Sequence, residues 1–432
     1  MRIAAAVAAA PGMSLPKQAE AWADLKAAYR FFNNPRVDPE AIGAGPRRHV
    51  LRMCGAHEVV LVVQDTTELD FTRRRSARGL GPIGAEHGRG LLQHSALAVT
   101  TDGKILGVLD QRLIVRTEAP ADETRTELEG RWRESLLWGD GVRRVGTAPS
   151  GCRFVLVSDR ASDCFETIHE CDAHGWGFVI RAVRDRNVEG KADHLWPWAE
   201  KQPVCGTMAV RVSAQTTHRG AALRIRRTAT VSIRFGAVTL DPPLRRAHPP
   251  RRVWAVHARE EDPPTGEGVE RVEWLVLCGE PVEDQAAARR MLAWYAHRWV
   301  IEEWHRALKE GCALEASQLH DAEAIRRLAA LKGVVAARLL HLRDLADPAH
   351  PEAEDPAALR RAVPDVWIEV VGAYTGVGAA TLTPRQFWMS IARKGGFIGR
   401  KGDGRPGWKV IWRGWSDYSL MVEYALVVRR RQ

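Results

Sequence analysis

The sequence predicts an α/β protein in which buried strands form a sheet and helical regions stand at both ends of the chain. Short apolar runs, such as Val59–Val63 and Phe154–Ser158, alternate with stretches of helical periodicity, which is typical of a sheet covered by helices. Between about residues 186 and 270, apolar residues recur at every second position instead. This stretch is predicted to be a β-rich insertion.

Composition excludes some classes of protein and favours others. The chain has 432 residues, of which 45% are hydrophobic and 27% charged, so it can bury a core and is not a disordered polymer. Of its 63 basic residues only ten are lysines, against 53 acidic residues. Arginine binds phosphate in bidentate fashion, which favours a nucleic-acid partner, although a GC-rich genome gives the same bias. Seven cysteines without a C-x-x-C pair predict a reduced, cytoplasmic protein, and no apolar run is long enough for a membrane span.

Local patterns predict the individual elements. Helical spacing runs through the first fifty residues and stops at Asn33-Asn34-Pro35, and Asp102-Gly103 marks the turn of a hairpin between residues 94–100 and 104–115. Further helices and strands are predicted over the following ranges: helices at 123–142, 161–173, 283–310, 321–345 and 383–395, and strands at 179–183 and 274–278. The Pro- and acid-rich residues 346–355 predict a linker.

Two aspartates follow buried strands. Asp65 stands just after the run that ends at Val63, and Asp159 directly follows Ser158. An open α/β sheet places its ligand sites at the carboxyl ends of its strands, so both are candidates for chemistry. The competing interpretation is structural, because an aspartate at a strand end is commonly a turn former or a helix cap.

A stripe of polar side chains lies along the predicted helix over residues 283–310. Tyr295, Arg298, Glu302 and Lys309 fall within about 60° of the helix surface, and Arg306 extends the stripe. The stripe spans roughly 21 Å, long enough to follow several DNA phosphates. A solvated face of paired charges is the alternative interpretation.

If Glu302 meets Asp65 and Asp159 in space, three ionised carboxylates repel one another unless cations offset their charge. Ligand sets made only of oxygen point to Mg²⁺ or Mn²⁺. Two such ions activate a water or a 3′-hydroxyl and stabilise the leaving oxygen of a phosphodiester. The residues therefore indicate metal-dependent cutting and joining of DNA.

These residues stand in a recognisable arrangement. The segment from Tyr295 to Lys309 carries the pattern Y-x2-R-x3-E-x6-K without a break, and Asp65-Thr66-Thr67 and Ser158-Asp159-Arg160 precede it in order. In this the chain resembles the DDE transposases of bacterial cut-and-paste elements, and is most similar to the transposon-five type of the insertion-sequence-four family. The resemblance covers nearly the whole chain, from Tyr29-Arg30-Phe31 to Ile391–Phe397.

The resemblance implies a ribonuclease-H-like catalytic core over residues 51–345, which contains the β-rich insertion. It also implies a partial N-terminal helical DNA-binding region over residues 1–50 and a C-terminal helical dimerisation region over residues 346–432. The expected partners are double-stranded DNA, as transposon ends and target, and a second copy of the chain in a synaptic complex. No membrane or small-molecule cofactor is expected.

For individual residues, the resemblance implies that Asp65, Asp159 and Glu302 hold two Mg²⁺ or Mn²⁺ ions when DNA is bound. They would then catalyse a nick, hairpin formation, hairpin opening and strand transfer. Six side chains are expected to contact the DNA: Tyr295, Arg298, Lys309, Arg306, Trp274 and Arg181, with Trp274 stacking on a flipped base. The family's next cation, two positions after Arg181, falls on Val183 here, with Arg184 beside it.

Other interpretations stay open. Compared with the family pattern, most of the basic N-terminal arm is absent, which a misplaced start codon or a truncation would explain. A chain without this arm could act as a non-catalytic, dimerising inhibitor of a full-length transposase. A general metal-dependent nuclease of the same fold is a third hypothesis. Residues 79–84 fit a dinucleotide-binding G-x-G-x-x-G pattern, but Pro82 spoils the turn. His297 and His305 are expected on the helix surface.

Overall fold

The fold is mixed α/β, with one large sheet and many helices, as the sequence predicts. It is seen in a computed structural model of the chain. The structure describes the following residues: 2–19, 21–84, 87–117, 133–212, 215–216, 222–224, 226–243, 248–266, 270–400 and 403–429.

The helices occur in groups at the two ends of the chain and singly between the strands. In chain order they are α1 (Arg2–Ala9), α2 (Leu15–Gln18), α3 (Trp22–Phe32), α4 (Pro39–Cys54), α5 (Leu137–Val145), α6 (Phe165–Ala173), α7 (Leu195–Glu200), α8 (Gln285–Ala296), α9 (Trp299–Arg306), α10 (Ala322–Leu345), α11 (Pro356–Ala362), α12 (Asp365–Thr375), α13 (Pro384–Lys394) and α14 (Trp408–Arg429). A π-helical turn, Ala307–Gly311, continues α9.

The strands fill the middle of the chain. In chain order they are β1 (Val59–Asp70), β2 (Gly81–Pro82), β3 (Arg89–Thr100), β4 (Ile105–Ile114), β5 (Arg153–Ser158), β6 (Gly177–Arg181), β7 (Asn187–Val188), β8 (Asp193–His194), β9 (Val204–Val212), β10 (Gln215–Thr216), β11 (Ala222–Arg224), β12 (Arg227–Leu240), β13 (Arg251–Arg259) and β14 (Glu273–Cys278). The predicted hairpin is confirmed as β3 and β4, and Gly103 takes the positive φ of +86° that its turn requires.

The sheet has antiparallel and parallel parts. β1 pairs antiparallel with β3 and parallel with β5, and β5 pairs parallel with β6. The stretch predicted to be β-rich contains β7 to β13, and it joins the same sheet, because β14 pairs with both β6 and β13. The insertion is therefore a continuation of the central sheet.

Successive side chains of β1 point to opposite faces of the sheet, and both faces are covered by apolar layers. Leu61 and Val63 face one buried cluster, which includes residues of α8 to α14, whereas Val60 and Val62 face a second cluster with α5 and α6. All four are fully buried. The site-bearing helix α9 contacts β1, so the first layer positions it against the sheet.

Two predicted helices need correction. The helix predicted over residues 123–142 begins only at Leu137 and ends at Val145, while residues 118–132 lie outside the described part. The helix predicted over 283–310 is broken between α8 and α9. At the break, the N–H groups of His297 and Arg298 bond to carbonyls three residues back, which tightens the turn.

Two glycines set the packing of α13 against α14. A methyl group on Gly414 would overlap the carbonyl oxygen of Ile391, and one on Gly395 would overlap that of Val410. Neither glycine has a positive φ, so close helix approach is the reason for glycine here.

We expect Gly414→Ala to lower the free energy of unfolding of this helix pair by about 3 kcal/mol, because overpacking against backbone cannot relax through a side-chain movement. Denaturant unfolding followed by circular dichroism measures this change in the free energy of unfolding. Gly407→Ala is the control, since no atom lies within 4 Å of an added methyl group there. Equal stability of the two variants would contradict the packing argument.

Candidate functional site

The structure brings Asp65 and Asp159 side by side. The parallel register of β1 and β5 ends at the pair Gln64 and Ser158, so the residue that follows each of them is one of the two aspartates. Neighbouring parallel strands lie about 4.8 Å apart. The sequence placed Asp65 at the end of its strand, but β1 continues five residues further, to Asp70, because it stays paired with β3.

The Asp65 carboxyl is largely buried and lies near two other carboxylates. Its side chain is 16% exposed, and its Oδ1 accepts a hydrogen bond from the N–H of Thr66 at 2.7 Å. Burial, then the charge of Asp159, raises the pKa of Asp65 to about 7, with a smaller contribution from Glu302. All three predicted carboxylates therefore interact electrostatically at one place.

Glu302 is connected to Asp65 by ion pairs that both carboxylates form with Arg298. The guanidinium of Arg298 donates to Oε1 of Glu302 at 2.5 Å and lies 3.4 Å from Oδ2 of Asp65. Burial alone lowers the pKa of Arg298, but the bond to Glu302 and nearby negative charge raise it overall. Arg298 was predicted as a DNA contact, and its double ion pair with the carboxylates was not foreseen.

The predicted metal ligands around Asp65 are carboxylates, the ligand type that divalent metal ions prefer. Among the described residues, no group of three or more His, Cys, Asp or Glu side chains is placed to hold a metal ion. The guanidinium of Arg298 lies between Asp65 and Glu302 and supplies positive charge to both carboxylates. The chemistry of the donor set fits Mg²⁺ or Mn²⁺, since it consists of carboxylate oxygens, and the charge of Asp159 adds to burial in raising the pKa of Asp65.

Three of the predicted DNA contacts form a cluster beside the carboxylates. Trp274 on β14 packs edge-to-face on Tyr295, with 6.3 Å between ring centroids. Arg181, at the end of β6, pairs with Tyr295 and donates to the carbonyl of Glu273 at 3.1 Å. Burial lowers the pKa of Arg181, and the charge of Arg298 nearby adds to this. Tyr295 is buried, so this cluster is more enclosed than an exposed stripe would be.

The other two stripe residues lie beyond Glu302. Lys309, on the π-helical turn, is 27% exposed and its Nζ lies 3.9 Å from Oε1 of Glu315. Arg306 is exposed and forms no ion pair within the described part of the chain. Because the helix is broken at Arg298, the predicted continuous stripe becomes a buried part before Glu302 and an exposed part after it.

Two buried histidines behind the site were not predicted to lie there. His94 on β3 bonds through its ring nitrogens to Thr66 at 2.8 Å and Gln64 at 3.0 Å, and so holds both neighbours of Asp65. The expectation that His305 lies on the helix surface is wrong, because α9 turns it inward and buries it. Burial lowers the pKa of each to about 3, so both are neutral. His297 is half-buried.

Asp163 holds the loop that follows β6. It is buried, and its Oδ2 accepts hydrogen bonds from the N–H groups of Val183 and Arg184 at 2.8 and 3.0 Å. The strand predicted over residues 179–183 therefore ends earlier, at Arg181. The sequence signal for this role was only the position of Asp163, four residues after Asp159.

Comparison with protein families gives two matches at opposite ends of the chain. Residues 1–37 match the family model described as transposase DNA-binding, and residues 385–431 match the one described as the transposase Tn5 dimerisation domain. Neither segment includes the carboxylates. No helix in the described part of the chain is long and apolar enough to cross a membrane. The two matches, one for binding DNA and one for pairing subunits, support a Tn5-type transposase.

Proposed function

We propose that the chain is a DDE transposase that cuts and joins DNA at Asp65, Asp159 and Glu302, on a ribonuclease-H-like core formed by β1, β3, β4, β5 and β6. The observation that carries the proposal is the meeting of the three carboxylates. Asp65 lies on β1 and Asp159 directly follows the neighbouring parallel strand β5, and Glu302 is joined to Asp65 through Arg298. The matches to DNA-binding and dimerisation segments support DNA as the substrate and a homodimer as the active form.

The three carboxylates would hold two Mg²⁺ or Mn²⁺ ions, which when bound activate the attacking oxygen and stabilise the leaving one. Arg298 is the side chain positioned to change partners. A DNA phosphate that takes its guanidinium from Glu302 and Asp65 frees both carboxylates, so binding of DNA prepares the site. The exposed Arg306 and the partly buried Lys309 then continue the contact along the backbone.

The proposed reaction consists of a nick, hairpin formation, hairpin opening and strand transfer. Water attacks the phosphodiester at the element end, and the broken P–O bond leaves a 3′-hydroxyl on the element and a 5′-phosphate on the flanking strand. The 3′-hydroxyl attacks the phosphodiester of the opposite strand, which forms the hairpin and releases the flanking DNA with a 3′-hydroxyl. Water then hydrolyses the hairpin phosphodiester and regenerates the element 3′-hydroxyl, which attacks a target phosphodiester and releases a target 3′-hydroxyl. Beside the carboxylates lies the cluster of Tyr295, Trp274 and Arg181. These side chains would hold the distorted DNA end of the hairpin in place.

A cleavage assay tests the proposed function. Purified protein is incubated with Mg²⁺ and duplexes carrying the terminal repeats that flank its gene, or with scrambled duplexes of equal length. We expect nicked and hairpin products only from the repeats and only with the metal. Equal cutting of both duplexes would identify a general nuclease instead. Binding without cutting, together with suppression of a full-length transposase in co-expression, would identify an inhibitor.

A further inference from the structure

His94 lies directly behind Asp65 in the sheet. It is 1% exposed, and its partner across the β1–β3 ladder is Thr66, while Asp65 pairs with Ser95. Successive side chains of a strand point to opposite faces, so Gln64 and Thr66 lie on the same face as His94, and Asp65 lies on the other. His94 therefore contacts β1 through the two side chains that flank the carboxylate in sequence.

The two hydrogen bonds of the His94 ring have defined directions. Because the ring is buried and neutral, one of its nitrogens donates and the other accepts. Nε2 lies 3.0 Å from Oε1 of Gln64, and an amide oxygen can only accept, so Nε2 carries the ring proton. Nδ1 lies 2.8 Å from Oγ1 of Thr66 and therefore accepts the hydroxyl proton of Thr66. The hydrogen bonds run from Thr66 through His94 to Gln64.

Helix α5 fixes the far end of this chain of hydrogen bonds. The ring of Trp138 packs edge-to-face on the His94 ring, with 5.2 Å between centroids. One turn further along α5, a methyl group on Gly141 would overlap Oε1 of Gln64, so the glycine leaves room for the amide. The ring and the amide are thus held by packing as well as by hydrogen bonds, and the ring presents Nδ1 to Thr66 in one orientation.

The contact lies where β1 loses one of its neighbouring strands. Pairing with β5 ends at Gln64, so Asp65 and Thr66 are held in the sheet by β3 alone. The N–H of Thr66 donates to Oδ1 of Asp65 at 2.7 Å, whereas the negative charge of Asp159 acts against that of Asp65. The position of Thr66 therefore helps to set the position of the Asp65 carboxyl beside a carboxylate that repels it.

We infer that His94 is a positioning residue for the metal site. By accepting the hydroxyl proton of Thr66 and donating to Gln64, it holds Asp65 in place beside Asp159 and so raises the affinity of the carboxylates for Mg²⁺ or Mn²⁺. The inference rests on the proposed function. Side chains that orient a metal ligand without touching the ion change metal affinity by about 10- to 100-fold. Loss of this contact should therefore weaken metal binding more than it weakens DNA binding.

The test measures Mn²⁺ binding directly. Electron paramagnetic resonance reports free Mn²⁺ during titration of the protein bound to pre-cut element ends. His94→Leu removes both hydrogen bonds, and Thr66→Val removes only the hydroxyl and keeps the size of the side chain. Each should raise the Mn²⁺ dissociation constant by about tenfold. His94→Gln should bind Mn²⁺ as the wild type does, because its amide carries an acceptor oxygen and a donor nitrogen side by side, like the two ring nitrogens.

A destabilised control separates metal binding from stability, since loss of buried hydrogen bonds also weakens the fold. Gly414→Ala disturbs the contact of α13 with α14 instead and should keep the Mn²⁺ affinity of the wild type. If His94→Leu does not fold, Thr66→Val carries the test alone. Unchanged Mn²⁺ affinity in Thr66→Val would overturn the inference and leave the proposed function standing. Failure of the wild type to bind Mn²⁺ would overturn both.

Nuclear magnetic resonance of ¹⁵N-labelled histidine tests the direction of the hydrogen bonds. The chain has 15 histidines, and the signal that disappears in His94→Gln identifies His94. We expect its proton on Nε2 and none on Nδ1. A proton on Nδ1 would mean that the ring donates to Thr66, and would overturn the arrangement from which the inference is drawn.

Discussion

Glu302→Ala is expected to reduce Mg²⁺-dependent cleavage of element ends by about a thousandfold, which corresponds to about 4 kcal/mol of transition-state stabilisation. Removal of one carboxylate leaves Asp65 and Asp159 to hold the ions alone. DNA affinity should be retained or slightly increased, because Arg298 loses its 2.5 Å partner and its charge becomes available to phosphate. Cleavage by gel assay and affinity by gel shift measure the two effects separately.

The control for Glu302→Ala lies on the same helical segment. Glu310 is an exposed carboxylate on the π-helical turn, so Glu310→Ala removes the same charge without touching Asp65 or Arg298. It should cut at the wild-type rate. Glu302→Gln keeps the size and hydrogen-bonding capacity of the side chain and should be as defective as the alanine variant. Cleavage by Glu302→Gln within tenfold of the wild type would refute the assignment of this residue.

The paired aspartates could be predicted from the sequence because buried parallel strands leave a strong local signal. The β-branched runs before Asp65 and Asp159 identified both strands, and parallel pairing then aligned their ends. The full length of β1 could not be predicted in this way. Residues 66–70 are polar, and only their pairing with β3 keeps them in the strand.

The broken helix had no sequence signal of the usual kind. No Gly or Pro stands between Tyr295 and Lys309, and the helical spacing is continuous through Arg298. Tertiary packing decides the break, since Tyr295 turns toward Trp274 while Arg298 turns toward the carboxylates. Long-range pairs of this kind depend on residues more than 200 positions apart, such as Arg298 with Asp65, which periodicity cannot reveal.

The C-terminal helix α14 carries two apolar faces, and this matters for pairing of subunits. The inner face is buried and consists of Trp408, Ile411, Trp415, Tyr418 and Val422. The outer face is exposed and consists of Leu420, Tyr424, Val427 and Val428. At 100° per residue the two stripes lie on opposite sides of the helix.

The inner face connects α14 to the site-bearing helix. Nε1 of Trp408 lies 3.4 Å from Oε1 of Glu303, the residue after Glu302, and Arg343 pairs with the same carboxylate. Trp412 packs against Gly311 at the end of the π-helical turn. A contact made by the outer face is therefore one helix away from the candidate carboxylates.

Leu420→Glu/Tyr424→Glu is expected to abolish complexes that contain two element ends. These side chains are 51% and 72% exposed, so the change adds no buried charge within one subunit, but it places four carboxylates in an apolar interface between two. Gel shifts with end fragments of two lengths measure the pairing of ends. A complex that contains one fragment of each length gives a band of intermediate mobility. Lys409→Glu, in the first turn of the same helix, should retain that band. Persistence of the intermediate band in the double variant would show that another surface pairs the subunits.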